Sequence, residues 1–429
     1  MDAKAKVFTQ YMSVDEALDN FFKEVSIRQL GEESIPILDS LGRVLSEDVY
    51  APVDVPPFDR AAVDGFALKA ENTYGASPSN PVVFDVVGSS EMGQVPSVRV
   101  NNFEAARIFT GAPLPEGTNS VVMLEYTNEI SADKIEAVNA VTPWRNASKR
   151  GEDIKKDEKV LARGLVLRSQ DIGIIASVGR RKVMVARKPR IAVLSTGNEL
   201  VEPTEDIPRG KIIDSNKYSI SSAVKEAGAD PIMLGIARDD PGEIRSRLEQ
   251  GCRVADMIIT TGATSVGSKD YLPNVVKSMG KPGIIVHGIS MKPGSPTALA
   301  AVNGKPVVLL PGNPAAAFIS FFVFVRRIIG RMLGLDESIR NLTIRASLTR
   351  RVPSTIGMRN YVRVFVKKSG GSYLAEPVRI AGAGILSSVT KANGLLVIPE
   401  DREGFERGEE VDIVILRGIW GDEVGSKSL

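Results

Sequence analysis

Two glycine-containing loops, each followed by an acidic side chain, are the segments of this chain best suited to chemistry. The apolar run Met257–Thr260 ends in a loop of Thr, Gly and Ser residues, after which Asp270 begins a helix-like segment. Upstream, the apolar run Ile191–Leu194 leads through Gly197 to Glu199. Strand–loop–helix segments of this kind leave backbone N–H groups free to bind an anion. An ordinary turn could produce either pattern alone, but the pair predicts a site for a phosphate-like group beside a divalent cation.

A third acidic residue, Asp239, follows another predicted strand, Ile232–Ile236. Ligands of open parallel sheets bind beyond the carboxyl ends of the strands, so we expect Glu199, Asp239 and Asp270 at one edge of the sheet. Asp240 is explained as the cap of the next helix, and capping is also an alternative role for Asp270. Because carboxylate oxygens beside a phosphate are the usual surroundings of Mg²⁺, this edge is the expected metal site.

Two proline- and glycine-containing loops are expected to face these acids. They are residues 291–296 (MKPGSP) and 310–314 (LPGNP), and Lys292 in the first would bring a positive charge toward a bound anion. The chemistry that this set implies is electrostatic activation of an anionic ligand, without a covalent protein intermediate.

A second group of polar residues lies in a β-rich part of the chain. The segment Val55–Leu68 carries Asp59 and Asp64, and the segment Arg107–Glu125 carries Thr110 in a TGAPLP turn. Prolines fix the geometry of both loops, as a binding site requires, although ordinary turns would explain the same residues.

The composition excludes several classes of protein. The 429 residues include 54 basic and 52 acidic residues, and this near balance argues against nucleic-acid binding. Cys252 is the only cysteine and His287 the only histidine, which excludes disulfide frameworks and argues against zinc sites and Ser–His–Asp hydrolysis. The N-terminus lacks the apolar core of a signal peptide, and the apolar segment Ala315–Val325 is too short to cross a bilayer. We therefore expect a cytoplasmic protein without membrane or nucleic-acid partners.

The elements that must position these residues alternate between strand and helix from Arg190 onward. This rhythm predicts a mostly parallel, doubly wound sheet. Local signals within it are a helix that begins near Ser215, a helix capped by Asp240, a hairpin at the Asn303-Gly304 dipeptide and a long helix after Asn313.

The remaining segments predict further domains, so the expected fold class is multidomain α/β and β. A capping box of Ser13 and Glu16 begins a first helix, and strand patterns after Leu342 predict a β-barrel or sandwich. The predicted domains are a discontinuous mixed N-terminal domain (1–48 with 146–187), a β-rich domain (49–145), a doubly wound α/β domain (188–337) and a C-terminal β-barrel domain (338–429).

An ordered set of motifs extends from about Pro56 to Pro314. They are PPFDRAAVDGFA, TGAPLPEG, RGEDI, STGNEL, GKIIDSN, GIARDDP, TTGATSVGSKDY, KPGSP and LPGNP, with a weaker continuation at YVRVFV and GAGILSS. In content and order this set resembles the MoeA family of molybdopterin molybdotransferases, which is related to the E domain of gephyrin.

The resemblance implies an elongated homodimer of four-domain subunits, with a MogA-like α/β domain. Its site would lie in a cleft between the α/β domain of one subunit and the β-rich domain of the other. The implied reaction is the insertion of molybdate or tungstate into adenylated molybdopterin, with loss of AMP and assistance from Mg²⁺, in molybdenum cofactor biosynthesis. A MogA-like adenylyltransferase would be a partner that supplies the substrate.

The resemblance also implies the roles of individual residues. The implied catalytic residues are Asp59, Thr110, Glu199, Asp239, Asp270 and Lys292. The implied metal ligands among them are Asp59, Glu199 and Asp270. The implied cofactor-binding residues are Thr261, Gly262, Ser265, Gly267, Ser295, Pro311, Gly312, Asn313 and Arg363.

The chain departs from the family pattern at three positions. Ser295 replaces the second lysine of KPGKP, Ala263 replaces a glycine of the TGG loop, and Ala383 replaces a frequent serine. These changes bear on oxyanion affinity and metal preference. Two alternative functions remain: a MogA-like adenylyltransferase, which ATP-dependent adenylation of the pterin would reveal, and a non-catalytic gephyrin-type scaffold, which would lack pterin binding.

Overall fold

A computed structural model describes residues 11–262, 271–335, 341–378 and 385–419 of the chain. It contains two compact units. The β-rich unit is Ser34–Val185, and the α/β–barrel unit comprises the described residues before Ser34 and after Val185. Among the described residues, every helix is too short or too polar to cross a membrane.

A six-stranded sheet forms the centre of the α/β–barrel unit. From edge to edge its strands are Asp230–Ala237, Arg190–Thr196, Met257–Thr261, Lys305–Leu310, Ala298–Val302 and Pro282–His287. The first four are mutually parallel, whereas Ala298–Val302 is antiparallel to both of its neighbours. Apolar residues fill the strands because helices cover the sheet, and Leu194, Ile258 and Leu309 are fully buried. The prediction of a mostly parallel α/β sheet is confirmed.

Helices with recognisable start signals pack on this sheet. Helix Pro241–Val254 begins with the Asp240 side chain accepting a hydrogen bond from the Glu243 N–H at 2.8 Å, as predicted. The other helices of the sheet are Ser215–Glu226, Tyr271–Met279 and a continuous helix made of Pro314–Ser320, Phe321–Val325 and Arg326–Leu333. The middle segment of the last helix is π-helical, which the sequence did not predict.

The Asn303-Gly304 dipeptide makes the predicted tight hairpin. Both residues have positive φ, at 50° and 79°, and Val302 pairs directly with Lys305. Positive φ at both central residues is the requirement of a type I′ turn, which Asn-Gly meets without strain.

The C-terminal strands close into a barrel. Its five strands, in order, are Arg359–Ser369, Ser372–Pro377, Thr343–Leu348, Glu410–Ile415 and Gly394–Ile398. The last strand pairs back onto the first, so the barrel alternative is correct and the sandwich alternative is wrong. A short strand, Met291–Lys292, pairs in parallel with Arg359–Asn360 at the barrel.

The N-terminal helix Val14–Glu24 belongs to the same unit. The predicted capping box is present, since the Glu16 N–H donates to Ser13 Oγ and the Ser13 N–H donates to the Glu16 carboxylate. Leu18 and Phe21 lie on its buried face.

A second six-stranded sheet forms most of the β-rich unit. From edge to edge its strands are Ser120–Met123, Gly65–Leu68, Glu104–Ile108, Val82–Ser90, Lys134–Ala137 and Thr127–Ser131. Phe66, Phe84 and Val122 are buried between its elements. The unit also contains helix Ser169–Ser177 and the paired short strands Val49–Tyr50 with Lys159–Leu161 and Arg60–Ala61 with Ala147–Ser148.

Candidate functional site

Two glycines, Gly262 and Gly312, bring the loops at the carboxyl edge of the α/β sheet into contact. A Cβ on Gly262 would lie 2.3 Å from the carbonyl oxygen of Thr196, and the φ of Gly262 is +95°. A Cβ on Gly312 would lie 3.4 Å from the Gly262 Cα. Because a side chain at Gly262 would overlap the neighbouring backbone, only glycine allows these loops to approach so closely.

Buried hydroxyl groups support these loops from within the sheet. The Ser195 and Thr261 hydroxyls lie 3.1 Å apart, and the Thr196 hydroxyl donates to the Thr261 carbonyl at 3.3 Å. Thr261 is only 1% exposed. Its side chain therefore lies inside the sheet, so the predicted binding by Thr261 would have to use its backbone.

Glu199 has an exposed carboxylate at the sheet edge. The carboxylate lies against Gly197, whose φ is +152°. A Cβ added to Gly197 would be 2.7 Å from each carboxylate oxygen of Glu199. The side chain is exposed, and it forms no hydrogen bond or ion pair with any residue that the structure describes. A carboxylate that no described residue engages can bind a cation.

Asp239 is held by Asn198 through two reciprocal hydrogen bonds. The Asn198 N–H donates to Asp239 Oδ2 at 3.3 Å, and the Asp239 N–H donates to Asn198 Oδ1 at 3.2 Å. Lys211 Nζ in turn donates to the Asn198 carbonyl. These contacts join the loops after two neighbouring strands and fix the backbone next to Glu199. Sequence reasoning did not identify Asn198, although Asn is the residue type that most often bonds to nearby backbone in loops.

The loop Pro311–Asn313 precedes the long helix and is exposed at its centre. Gly312 and Asn313 are both exposed, and the Asn313 side chain does not cap the helix. Asn216 Nδ2 donates to the Gly312 carbonyl at 2.7 Å. Within the described chain, the amides of Gly312 and Asn313 donate to no backbone carbonyl. Amides without a described acceptor can bind an anion, so the binding role of this loop stays a prediction.

Lys292 and Ser295 lie on the loop that follows the short strand Met291–Lys292. Lys292 is exposed. The Ser295 hydroxyl donates to the Met291 carbonyl at 2.5 Å, so its proton already has an acceptor within the loop. Gly294 has φ +119°, and a Cβ there would lie 2.6 Å from Ser320 Oγ, so this turn requires glycine.

Arg363 lies on the first strand of the barrel. The residue is 4% exposed, and its Nε has no hydrogen-bond partner among the described residues. Burial lowers the pKa of its guanidinium group. An interior guanidinium with an unsatisfied donor is suited to an anionic acceptor.

The β-rich unit contains the second set of predicted residues. Asp59 Oδ1 accepts a hydrogen bond from the Arg150 N–H at 2.7 Å. Asp64 Oδ1 accepts from both the N–H and the hydroxyl of Thr110, each at 2.7 Å, and these bonds lower the pKa of Asp64. Sequence reasoning noted the RGEDI motif but did not identify the contact between Arg150 and Asp59.

Several predicted residues lie outside the described residues. They are Ser265, Gly267, Asp270, Ala263 and Ala383. Within the described ranges, no group of three or more His, Cys, Asp or Glu side chains could together hold a metal ion.

Models of known protein families match three parts of the chain. The model of the MoeA N-terminal region (domain I and II) matches residues 12–179. A probable molybdopterin binding domain matches residues 192–331, and the MoeA C-terminal region (domain IV) matches residues 345–416. The chain belongs to the MoeA family.

Individual relatives cover nearly the whole chain. A molybdopterin molybdenumtransferase of Bacillus subtilis is 34% identical over 91% of this chain and 91% of its own length. A putative molybdopterin biosynthesis protein of Methanocaldococcus jannaschii is 35% identical over 90% of this chain and 92% of its own. The crystal structure of a molybdopterin biosynthesis MoeA protein from Pyrococcus horikoshii superposes with a TM-score of 0.82 at 32% identity, covering 95% of this chain and all of that one.

Proposed function

We propose that this protein is a molybdopterin molybdenumtransferase, which inserts molybdate or tungstate into adenylated molybdopterin and releases AMP during molybdenum cofactor biosynthesis. Membership of the MoeA family supports the reaction class. The observation that carries the proposal is the Glu199 carboxylate, which has no partner among the described residues, at the sheet edge where the Gly312 and Asn313 amides donate to no described backbone carbonyl. A phosphate-bearing substrate needs N–H donors, and the cation that neutralises it needs a free carboxylate.

Different residues of the sheet edge would bind the substrate phosphate and the oxyanion. The Gly312 and Asn313 amides would bind a substrate phosphate, and Lys292 would attract the oxyanion by charge. Asp239, already bonded to Asn198, would keep the Glu199 loop in place. None of these groups acts as a nucleophile, so positioning and electrostatic stabilisation supply the catalysis.

Magnesium fits the donor set of the α/β–barrel unit. Mg²⁺ commonly binds through one or two carboxylates plus the phosphates of a substrate, so a cluster of three protein ligands is not required. Glu199 offers such a carboxylate, and Asp59 and Asp270 would be further ligands. When bound, the ion would polarise the phosphate that leaves with AMP.

Reconstitution of a molybdenum enzyme tests the proposal. Purified protein, adenylated molybdopterin, Mg²⁺ and molybdate would be mixed and then supplied to an apo-molybdoenzyme. We expect the apo-enzyme to become active only when all four components are present. Activation from unadenylated molybdopterin and ATP would indicate an adenylyltransferase, and absence of pterin binding would indicate a scaffold.

We further propose a cytoplasmic location and an adenylyltransferase partner. We also propose a homodimer in which two subunits contribute to one site. Asp59→Asn and Glu199→Gln variants would be co-expressed with different affinity tags, and the doubly tagged heterodimer would be isolated. Because each heterodimer would contain one site without either substitution, we expect activity well above that of both parents. Heterodimers as inactive as their parents would refute the shared site.

A further inference from the structure

Asn216 has a buried side-chain amide whose one hydrogen bond to the described chain reaches the loop Pro311–Asn313. The residue is 8% exposed and lies in the first turn of helix Ser215–Glu226. Its Nδ2 donates to the carbonyl of Gly312 at 2.7 Å, across 96 positions of sequence. Its Oδ1 is buried and has no hydrogen-bond partner among the described residues. The contact to Gly312 is therefore what this buried amide contributes.

The hydrogen bond from Asn216 to the Gly312 carbonyl also fixes the orientation of the Asn313 N–H. The carbonyl of Gly312 and the N–H of Asn313 belong to one peptide unit, and that unit is trans, since the cis peptides of the described chain all precede proline. In a planar trans peptide the C=O and N–H bonds point in opposite directions. With the carbonyl turned toward Asn216, the N–H of Asn313 must point away from helix Ser215–Glu226.

The Gly312–Asn313 peptide needs such a contact because Gly312 does not hold the peptide in place by itself. Gly312 has no side chain and is exposed, and among the described residues a Cβ built on it would meet only the backbone of Gly262, with the Cα at 3.4 Å and the N at 4.0 Å. Glycine is permissive in both backbone dihedrals, so the peptide that follows it could rotate about the ψ of Gly312 and direct its carbonyl outward. An outward carbonyl would repel a phosphate, whereas an outward N–H binds one.

We propose that Asn216 is a positioning residue, which holds the Gly312–Asn313 peptide so that the Asn313 N–H donates to a phosphate group of the substrate. This inference rests on the proposed function for the identity of the ligand. It gives the GKIIDSN motif a role, although Asn216 itself does not touch the substrate. The group that the Asn313 N–H would bind is a phosphate monoester or diester, and both AMP and the pterin phosphate supply one.

Asn216→Asp tests the orientation with almost no change in shape. Aspartate places a carboxylate oxygen against the Gly312 carbonyl, and repulsion between the two would turn the peptide. Loss of one N–H donor to a charged phosphate should raise the Kd for AMP, and the KM for adenylated molybdopterin, about tenfold to a hundredfold. The kcat should change much less, because the N–H binds substrate and transition state alike.

Acidification supplies a readout that a merely structural role would not give. Burial against a carbonyl raises the pKa of a carboxyl group, so Asp at position 216 would take up a proton in mild acid. The protonated group can donate to the Gly312 carbonyl as the amide does. We expect AMP affinity of the variant to recover toward the wild-type value between pH 7 and about pH 5. The wild type measured over the same range corrects for other titrations.

Asn274→Asp is the matched control, since it adds the same charge at an exposed position on helix Tyr271–Met279. Binding of AMP would be measured by calorimetry, and adenosine, which lacks the phosphate, should bind equally to wild type and variant.

If Asn216→Asp does not fold, Asn216→Ala removes the donor without repulsion and should raise the Kd about tenfold. Folded Asn216 variants with wild-type AMP affinity would overturn the inference, even if the wild type inserts molybdate. A wild type that binds AMP as expected but inserts no metal would instead refute the proposed function.

Discussion

The predicted acids of the α/β sheet edge and those of the β-rich unit differ in how far the fold already uses them. At the sheet edge, Glu199 has no partner in the described chain, and glycine contacts set the shape of the loops. In the β-rich unit, Asp59 already accepts from Arg150 and Asp64 from Thr110. Glu199 therefore carries a charge that the described fold does not use, whereas Asp59 and Asp64, like Asp239 at the sheet edge, also hold their own loops together. Substitution should separate activity from stability at Glu199 and affect both at Asp59 and Asp64.

Glu199→Gln should have the largest effect on activity and almost none on stability. The amide keeps the shape of the side chain but removes the charge, and losing one electrostatic contact in a transition state costs on the order of 3 kcal/mol, about a hundredfold in rate. Single-turnover insertion and thermal melting would measure the two quantities. The exposed Glu205→Gln, in the same segment, is the control and should retain full rate. A Glu199→Gln enzyme of wild-type rate would remove the distinction between the two regions.

Gly262→Ala should show how strongly the sheet edge depends on its glycine contacts. The new Cβ would lie 2.3 Å from the Thr196 carbonyl oxygen at a φ of +95°, so the loop must move. Gly210→Ala is the matched control, because Gly210 has φ +82° and open space around its Cα. Both variants carry about 1–2 kcal/mol of backbone strain, and overpacking adds about 1–3 kcal/mol at Gly262 alone. Equal losses in urea denaturation would contradict the close approach of the loops.

Thr110→Val should show, through the pH dependence of stability, that Asp64 stabilises the β-rich unit. The bonds from Thr110 lower the pKa of Asp64, so they stabilise the fold above the unfolded pKa of about 3.9 and are lost as pH falls through the lower folded value. Removing the hydroxyl raises the pKa of Asp64 toward its ordinary value. The stability difference between wild type and variant should therefore be present at neutral pH and shrink in acid. Repeating the comparison in an Asp64→Asn background should abolish this pH dependence; its survival there would assign it to another group.

Ser295→Lys should have the smallest effect, since Ser295 is only partly buried, beside the exposed Lys292, and its hydroxyl is bonded within its own loop. An added cation near the oxyanion should lower the KM for molybdate or tungstate about fivefold, equivalent to about 1 kcal/mol. The gain should decrease with added salt, because exposed charges are screened. Ser295→Ala separates loss of the loop hydrogen bond from gain of charge. A tighter pterin and an unchanged oxyanion requirement would place position 295 at the pterin phosphate instead.

Features fixed by neighbouring residues were predictable from the sequence. The Asp240 cap, the Ser13–Glu16 capping box and the Asn303-Gly304 hairpin each depend on side chains within four positions of one another, and all were confirmed. The parallel sheet followed from alternating apolar strands and helical segments in the same way.

Features that depend on distant residues were not predictable in the same way. Closure of the barrel requires strand Arg359–Ser369 to pair with Gly394–Ile398, and alternation alone fits a sandwich equally well. The bond from Asn216 to Gly312 spans 96 positions, and the bonds between Asn198 and Asp239 span 41. Hydrophobic periodicity reports which face of an element is buried but does not identify its polar partners.

Stoichiometric release of AMP tests the central claim most directly. The enzyme would be mixed with a limiting amount of adenylated molybdopterin, and AMP would be quantified with and without molybdate and with and without Mg²⁺. We predict one AMP per pterin, formed together with metal-loaded cofactor, only when the oxyanion and the cation are both present. Metal-loaded cofactor formed without AMP, or AMP released at the same rate without oxyanion, would contradict the account.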